Sequence, residues 1–138
     1  MNDLERIEEF IVHHHVMSLA TWSEDDVSVC SLFYTYDVKS KSFIVASSHE
    51  TQHIKNILQK KEIAGNILLE TKNVVEIKGL QFRGVFVPLE DKRLQLSYFD
   101  TFPYAATLQP TLWQIKVHFY KLTDNSLGFG KKIIVDFS

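Results

Sequence analysis

At 138 residues, 45% apolar and 23% charged, the chain has the size and make-up of one globular domain, 1–138, able to bury a core without disulfide or metal support. A formal net charge of −2 gives no electrostatic case for nucleic acid or an anionic membrane as the main partner. Cys30 is the only cysteine, so no internal disulfide can form, and no apolar run reaches the length of a membrane span.

In chain order, the acidic start Met1-Asn2-Asp3-Leu4-Glu5 lacks the apolar core of a signal peptide, which together with the lone thiol predicts a cytoplasmic protein. Asn2 or Asp3 caps a first helix, with Glu5 at the capping-box position behind Asn2. Leu4, Ile7, Phe10 and Ile11 line one face, so this helix packs on the body of the protein. It ends in His13-His14-His15, where imidazoles interact well with the negative end of the dipole. No metal is expected there, because consecutive residues point in different directions and no carboxylate or cysteine stands at ligand spacing. Val16 to Trp22 and Val27 to Tyr36 flank the turn Ser23-Glu24-Asp25-Asp26 and read as a hairpin. On the second strand Val27, Val29 and Phe33 share one face, and Cys30, Leu32, Tyr34 and Tyr36 the other. Both faces are apolar, which predicts a strand covered on two sides, with Cys30 a buried, inert thiol.

After the turn Lys39-Ser40-Lys41, the strand Phe43 to Ala46 runs straight into a helix. Ser47 and Glu50 have the form of a capping box, and Ile54, Ile57 and Leu58 supply an apolar stripe. Two readings stand for this corner. Either Ser47 caps the helix and nothing more, or the unpaired N–H groups and the dipole hold a phosphate, with Ser47, Ser48, Thr51, Gln52 and His53 adding donors. His49 and His53 stand at i, i+4 but lack a third ligand for a metal. A strand from Ile63 to Glu70 follows. The long run from Val74 to Val87 changes apolar parity at Gly79, which predicts a bulge or sharp bend there. Gln81 and Arg83 share the face opposite Leu80 and Phe82, and an amide on a bent strand inside a barrel needs a partner, which singles out Gln81.

Pro88 stops that strand, and Glu90 or Asp91 opens a helix over Lys92 to Phe99; Thr101 to Ala106 continues irregularly or as another short helix. In the clearest strand, Trp113, Ile115, Val117 and Phe119 alternate with Gln114, Lys116, His118 and Tyr120. Asp124-Asn125 and Gly128-x-Gly130 open no predicted helix, so a phosphate cradle fails its context test. They read as a glycine-punctuated turn that brings Lys131 back to the barrel, ahead of a strand from Ile133 to Phe137. The expected fold is mainly β with peripheral helices.

Several segments carry a resemblance: Ser18-Leu19-Ala20-Thr21, Phe33-Tyr34-Thr35-Tyr36-Asp37, Ser47-Ser48, Thr51-Gln52-His53, Gly79-Leu80-Gln81-Phe82, Phe102-Pro103-Tyr104, Trp113, and Thr123-Asp124-Asn125 through Gly128-Phe129-Gly130-Lys131. In these the chain resembles the FMN-binding split-barrel family, of the pyridoxamine-phosphate-oxidase type, and within it a small uncharacterised bacterial branch. The resemblance implies a six-stranded split β-barrel, a homodimer, and FMN at the subunit interface of a flavin-dependent oxidoreductase acting on a small molecule. It implies a phosphate where the third strand meets the next helix, held by hydroxyls and a lysine in a Ser-x-Lys pattern. Ser47 and Ser48 match the strand-end hydroxyls and Thr51 the serine of that pattern, but His53 stands where the family has lysine. A phosphate dianion is best matched by a dependable cation, and histidine is mostly neutral at pH 7. The flavin ring is implied near Phe33, Tyr34 and Tyr36, with Gln81 and Trp113 from the second subunit; for Phe33 and Trp113, plain packing is the competing account. For the phosphate, the available cations are Lys55, close in sequence, or Lys131 or Lys132 across a dimer. No catalytic residue is identified. The alternatives are a cofactor-free binding or sensor barrel, which His53 favours, and a haem-handling barrel with His14, His15 or His118 as axial ligand.

Overall fold

A computed structural model of residues 1–138 carries four α-helices and seven strands joined in one antiparallel sheet. Helix α1 (Asp3–Val12) starts at the capping box, Asn2 Oδ1 accepting from Glu5 N at 2.8 Å, and buries Ile7, Phe10 and Ile11. Strands β1 (Val16–Trp22) and β2 (Val27–Asp37) form the expected hairpin, and β3 (Ser42–Ala46) runs back along β2. Helix α2 (Gln52–Gln59) leads to β4 (Glu62–Leu68) and β5 (Lys78–Pro88). Helices α3 (Lys92–Thr101) and α4 (Pro103–Thr107) precede β6 (Leu112–Asp124) and β7 (Lys132–Asp136).

The strands run β3-β2-β1-β4-β5-β6, and β3 pairs back onto β6, so six strands close into a barrel. The seventh, β7, is the strand expected from Ile133 onward, and it adds to β6 outside the ring. Strand β6 is where the barrel splits. Its residues Leu112–Lys116 pair with β3 and Phe119–Thr123 pair with β7 on the same edge, while β5 follows its other edge throughout.

The bend lies elsewhere than expected. Arg83 faces Phe119 and Gly84 faces Val117, so His118 is an extra residue and the bulge sits on β6, not at Gly79. The parity change near Gly79 has another cause: Val74–Glu76 is a 3₁₀ turn with exposed valines, so only Lys78 onward is strand. The close backbone approach is at Gly84, where an added Cβ would lie 2.3 Å from Lys116 O. Beyond the bulge the inward parity of β6 inverts. Trp113, Ile115 and Val117 point in, then Tyr120, Leu122 and Asp124, so the alternation read through Phe119 holds only to Val117.

Phe43 centres the core, packing against the rings of Tyr34, Tyr36 and Phe82. A smaller apolar cluster of Ile44, Leu89, Leu94, Tyr98 and Leu112 lies beneath α3. Two expected coverings are absent within the chain. Leu58 is exposed, and Asn56 takes the buried place on α2, donating to Asp26 Oδ2 at 2.8 Å and Thr21 Oγ1 at 3.1 Å. The outer face of β2 is bare, with Val27 84% and Val29 73% exposed, because α3 and α4 cover other parts of the barrel wall. Strand register extends that bare face over β2, β1, β4 and β5, in cross-strand rows Val29-Ala20-Ala64-Arg83 and Ser31-Ser18-Asn66-Gln81. No helix is long and apolar enough to cross a membrane.

Candidate functional site

The corner after β3 is pinned to β6 from two sides. Ser47 N donates to Thr111 O at 3.0 Å, and the Trp113 indole N–H donates to Ser47 O at 3.0 Å. The cap of α2 is Thr51, not Ser47: Thr51 Oγ1 accepts from Ile54 N at 3.4 Å. The Ser47–Glu50 box does not form because Ser48 to Glu50 make a turn first, with Thr51 N and Glu50 N donating to Ser48 O and Ser48 Oγ at 3.1 and 3.3 Å. The Ser47 hydroxyl, freed from capping, hydrogen-bonds His53 Nε2, and Thr51 Oγ1 lies 3.3 Å from the same nitrogen. His53 is 9% exposed, and burial holds its pKa below the usual histidine value, so the ring is neutral at neutral pH. Gln52 Nε2 donates to Asn56 Oδ1 at 3.0 Å, tying the first turn of α2 to the buried amide.

The backbone N–H groups of Ser48, His49, Gln52 and His53 have no partner in the chain, the last two as at any helix start. Beside them opens a cleft of about 350 Å³ lined by Ala46, Ser47, Ser48, Gln109, Pro110 and Thr111. Its lining contains no lysine or arginine. The corner thus offers hydroxyl and amide donors to an anion but no formal positive charge of its own.

The structure gathers Ser47, Ser48, Thr51, Gln52, His53 and Trp113 at this corner, and the exposed His49 ring stands edge-on to Trp113 at 5.2 Å. Phe33 points outward on β2. Tyr34 pairs with Val45, so the end of β3 lies beside it, and Phe33 stacks on His15 and meets Phe102 edge-on, each at 5.7 Å. Tyr34 and Tyr36 turn the other way, with their hydroxyls committed beneath α1. Tyr34 donates to Ile11 O at 2.6 Å; Tyr36 donates to Glu8 Oε2 at 2.6 Å and lies 2.7 Å from the Tyr120 hydroxyl, whose pKa burial pushes up to about 12. Gln81 is exposed on the outer face of β5, in the polar row with Asn66, Ser18 and Ser31, and is not inside the barrel. Lys131 is exposed beyond the opposite end of β6. His13 and His14 hydrogen-bond the carbonyls of Glu9 and Phe10 at 2.7 and 2.8 Å, and no cluster of three metal-binding side chains forms. The sequence singled out neither Gln109 nor Thr111; Pro110 ahead of a strand was the only local sign of that wall.

No family model matches the chain. It is 32% identical over 130 residues to a UPF0306 protein of Photorhabdus laumondii, covering 92% of this chain and 91% of that one. It is 31% identical over 137 residues to the UPF0306 protein YhbP of Escherichia fergusonii, covering 97% and 93%. Among solved structures it is similar to a heme binding protein from Mycobacterium smegmatis (TM-score 0.81, 14% identity, 99% of this chain and 58% of that one). It is also similar to a FAD-binding protein from Mesorhizobium loti (0.71, 13%, 88% and 94%). A NimC/NimA family protein from Clostridium acetobutylicum scores 0.73 at 11% identity, covering 96% and 91%. At such identities the likeness is one of fold.

Proposed function

The chain belongs to the UPF0306 family, and on its split-barrel frame we propose a homodimeric FMN-binding protein, a flavin-dependent oxidoreductase acting on a small organic molecule. The observation that carries this is the pairing of two features: the donor-lined cleft after β3, and the bare apolar face that begins beside it at Phe33. The phosphate takes the free N–H groups of Ser48, His49, Gln52 and His53 and the hydroxyls of Ser47 and Ser48, a fit in donors though not in charge, while the Thr51 hydroxyl, which donates to Ser48 O at 2.8 Å, holds the turn that presents them. Trp113 holds the Ser47 carbonyl and so fixes the turn that aims these groups. A second copy covers Val27, Val29 and Phe33, and its polar row through Gln81 is available to ring heteroatoms. Bound FMN supplies hydride or electron transfer, while the chain orients the ring and excludes water.

Titration with FMN and with riboflavin tests this. FMN should bind at least about 10-fold more tightly, a phosphate contribution of about 1.4 kcal/mol or more, and Thr51→Ala should shrink that ratio. Equal affinities, or no binding of either, would sink the proposal; the latter favours a cofactor-free barrel. Visible spectra separate the remaining reading, a haem-handling barrel, for which His15 stacked on Phe33 at the rim of the bare face is the supporting feature. A Soret band in the purified protein would favour it.

A further inference from the structure

Helix α1 is packed onto the barrel core through Ile7, Phe10 and Ile11. Beside it lies a cavity of about 290 Å³, walled by α1 on one side. The other side is made by Leu69, just past β4, by Lys78 at the start of β5, and by Leu122 and Asp124 at the end of β6. The cleft after β3 adjoins Leu112, at the opposite end of β6, and the two linings have no residue in common.

The charges on these walls are unequally committed. Lys78 and Asp124 pair with each other, Nζ to Oδ2 at 3.6 Å. Asp124 is 2% exposed, and its Oδ1 accepts from Ser126 N at 2.9 Å and Ser126 Oγ at 2.6 Å, so that pair is closed on itself. Arg6 is not. It is half-buried and joins no ion pair, not even with Glu9 one turn on. The side-chain hydrogen bonds made by lysines and arginines belong to Lys41, Arg93 and Lys132, so the fork of donors on Arg6 is unspent. Glu9 is exposed and keeps its hydration, whereas the guanidinium is partly withdrawn from water without an acid in return.

The rest of the lining is mainly apolar. Phe10, Leu69 and Leu122 contribute to it, and the His14 ring packs on Phe10 with centroids 4.2 Å apart. A planar carboxylate matches the arginine fork with two parallel bonds. A dianion would set its second charge against Glu9 and Asp124, and the volume, at the low end for ligand sites, suits a compact molecule. We propose that this cavity binds a small monocarboxylate with an aromatic or short alkyl body, its carboxylate forked on Arg6 and its body against Phe10, Leu69 and Leu122. The site is independent of the FMN reading and stands or falls without it.

Benzoate and hexanoate are the probes, with benzyl alcohol lacking the charge and acetate lacking the body. NMR titration of the full chain should give a Kd of about 1 mM or below for at least one of the two acids, at least about 10-fold tighter than either comparison molecule. The largest shifts should fall in α1 and at Leu69 and Leu122. Arg6→Gln should weaken binding at least about 10-fold with urea stability unchanged, because Arg6 has no partner in the chain to lose. Glu9→Gln, at an exposed position, removes the opposing acid and should tighten binding about 2-fold. Thr51→Ala, at the other cleft, should do neither. Failure of both acids to bind by about 20 mM overturns the proposal. So does benzyl alcohol or acetate binding as tightly, or an unchanged affinity in Arg6→Gln. Binding that Thr51→Ala abolishes would put the acid in the cleft after β3, and overturns it too.

Discussion

His53 sets the character of the corner. A lysine there would carry its charge to any anion, whereas an imidazole bonded to Ser47 and enclosed at 9% exposure stays neutral. The cost of that enclosure appears on acidification. The unfolded chain takes up a proton near the ordinary histidine value of about 6.5, and the folded chain only at lower pH. Stability is therefore full above about 6.5 and declines as pH falls toward the depressed folded value. Urea unfolding at pH 7.5 and 5.5 should show this loss, and His53→Gln, which keeps a partner for Ser47, should reduce it. The carboxylates held low, Asp26, Asp37 and Asp136, change protonation below this window and do not obscure it. The residue types of the corner were legible in the sequence. The Ser47–His53 bond was not, because Ser47 and Glu50 satisfy a capping pattern that a turn one step later overrides.

Among the elements, β6 shows most clearly what a linear pattern leaves out. Its alternation identified the strand, but the inversion at His118 depends on the partner strand, where Gly84 lets the backbone of Lys116 come close. A pattern in one strand carries no record of its neighbour's glycine. Gly84→Ala would drive a Cβ onto the Lys116 carbonyl, which has no flexible end to yield, and should cost about 3 kcal/mol or more in urea unfolding. At Gly79 the nearest atom is Leu68 Cδ1 at 3.4 Å, so Gly79→Ala should stay within about 1 kcal/mol. Equal effects would put the bend back at Gly79. Helices α1 and α3 were easier to read, since the caps at Asn2 and Asp91 and the pair Leu94 and Tyr98 act within one turn.

For the whole molecule, the apolar outer face of β2 implied a second cover that the chain itself does not provide. Fold class followed from strand count and from the resemblance; the uncovered wall followed only from register, which sets Val29, Ala20 and Ala64 side by side. On a monomer, Val29→Glu alters an exposed position and should change stability by no more than about 0.5 kcal/mol. In a dimer closed over this face it would bury an unpaired carboxylate, so light scattering should find the variant monomeric with an unchanged circular dichroism spectrum. A variant that stays dimeric would move the contact elsewhere.

Strand β6 is flanked along both edges almost without interruption. Where β3 gives way to β7, Val117 N donates to Lys41 O at 3.0 Å and His118 O accepts from Phe137 N at 2.8 Å. Detaching it requires both halves of the wall to part together, whereas the outer edge of β7 can fray alone. In deuterium exchange, amides from Leu112 to Leu122 should accordingly be the last to take up label, and their rate should report opening of the entire barrel.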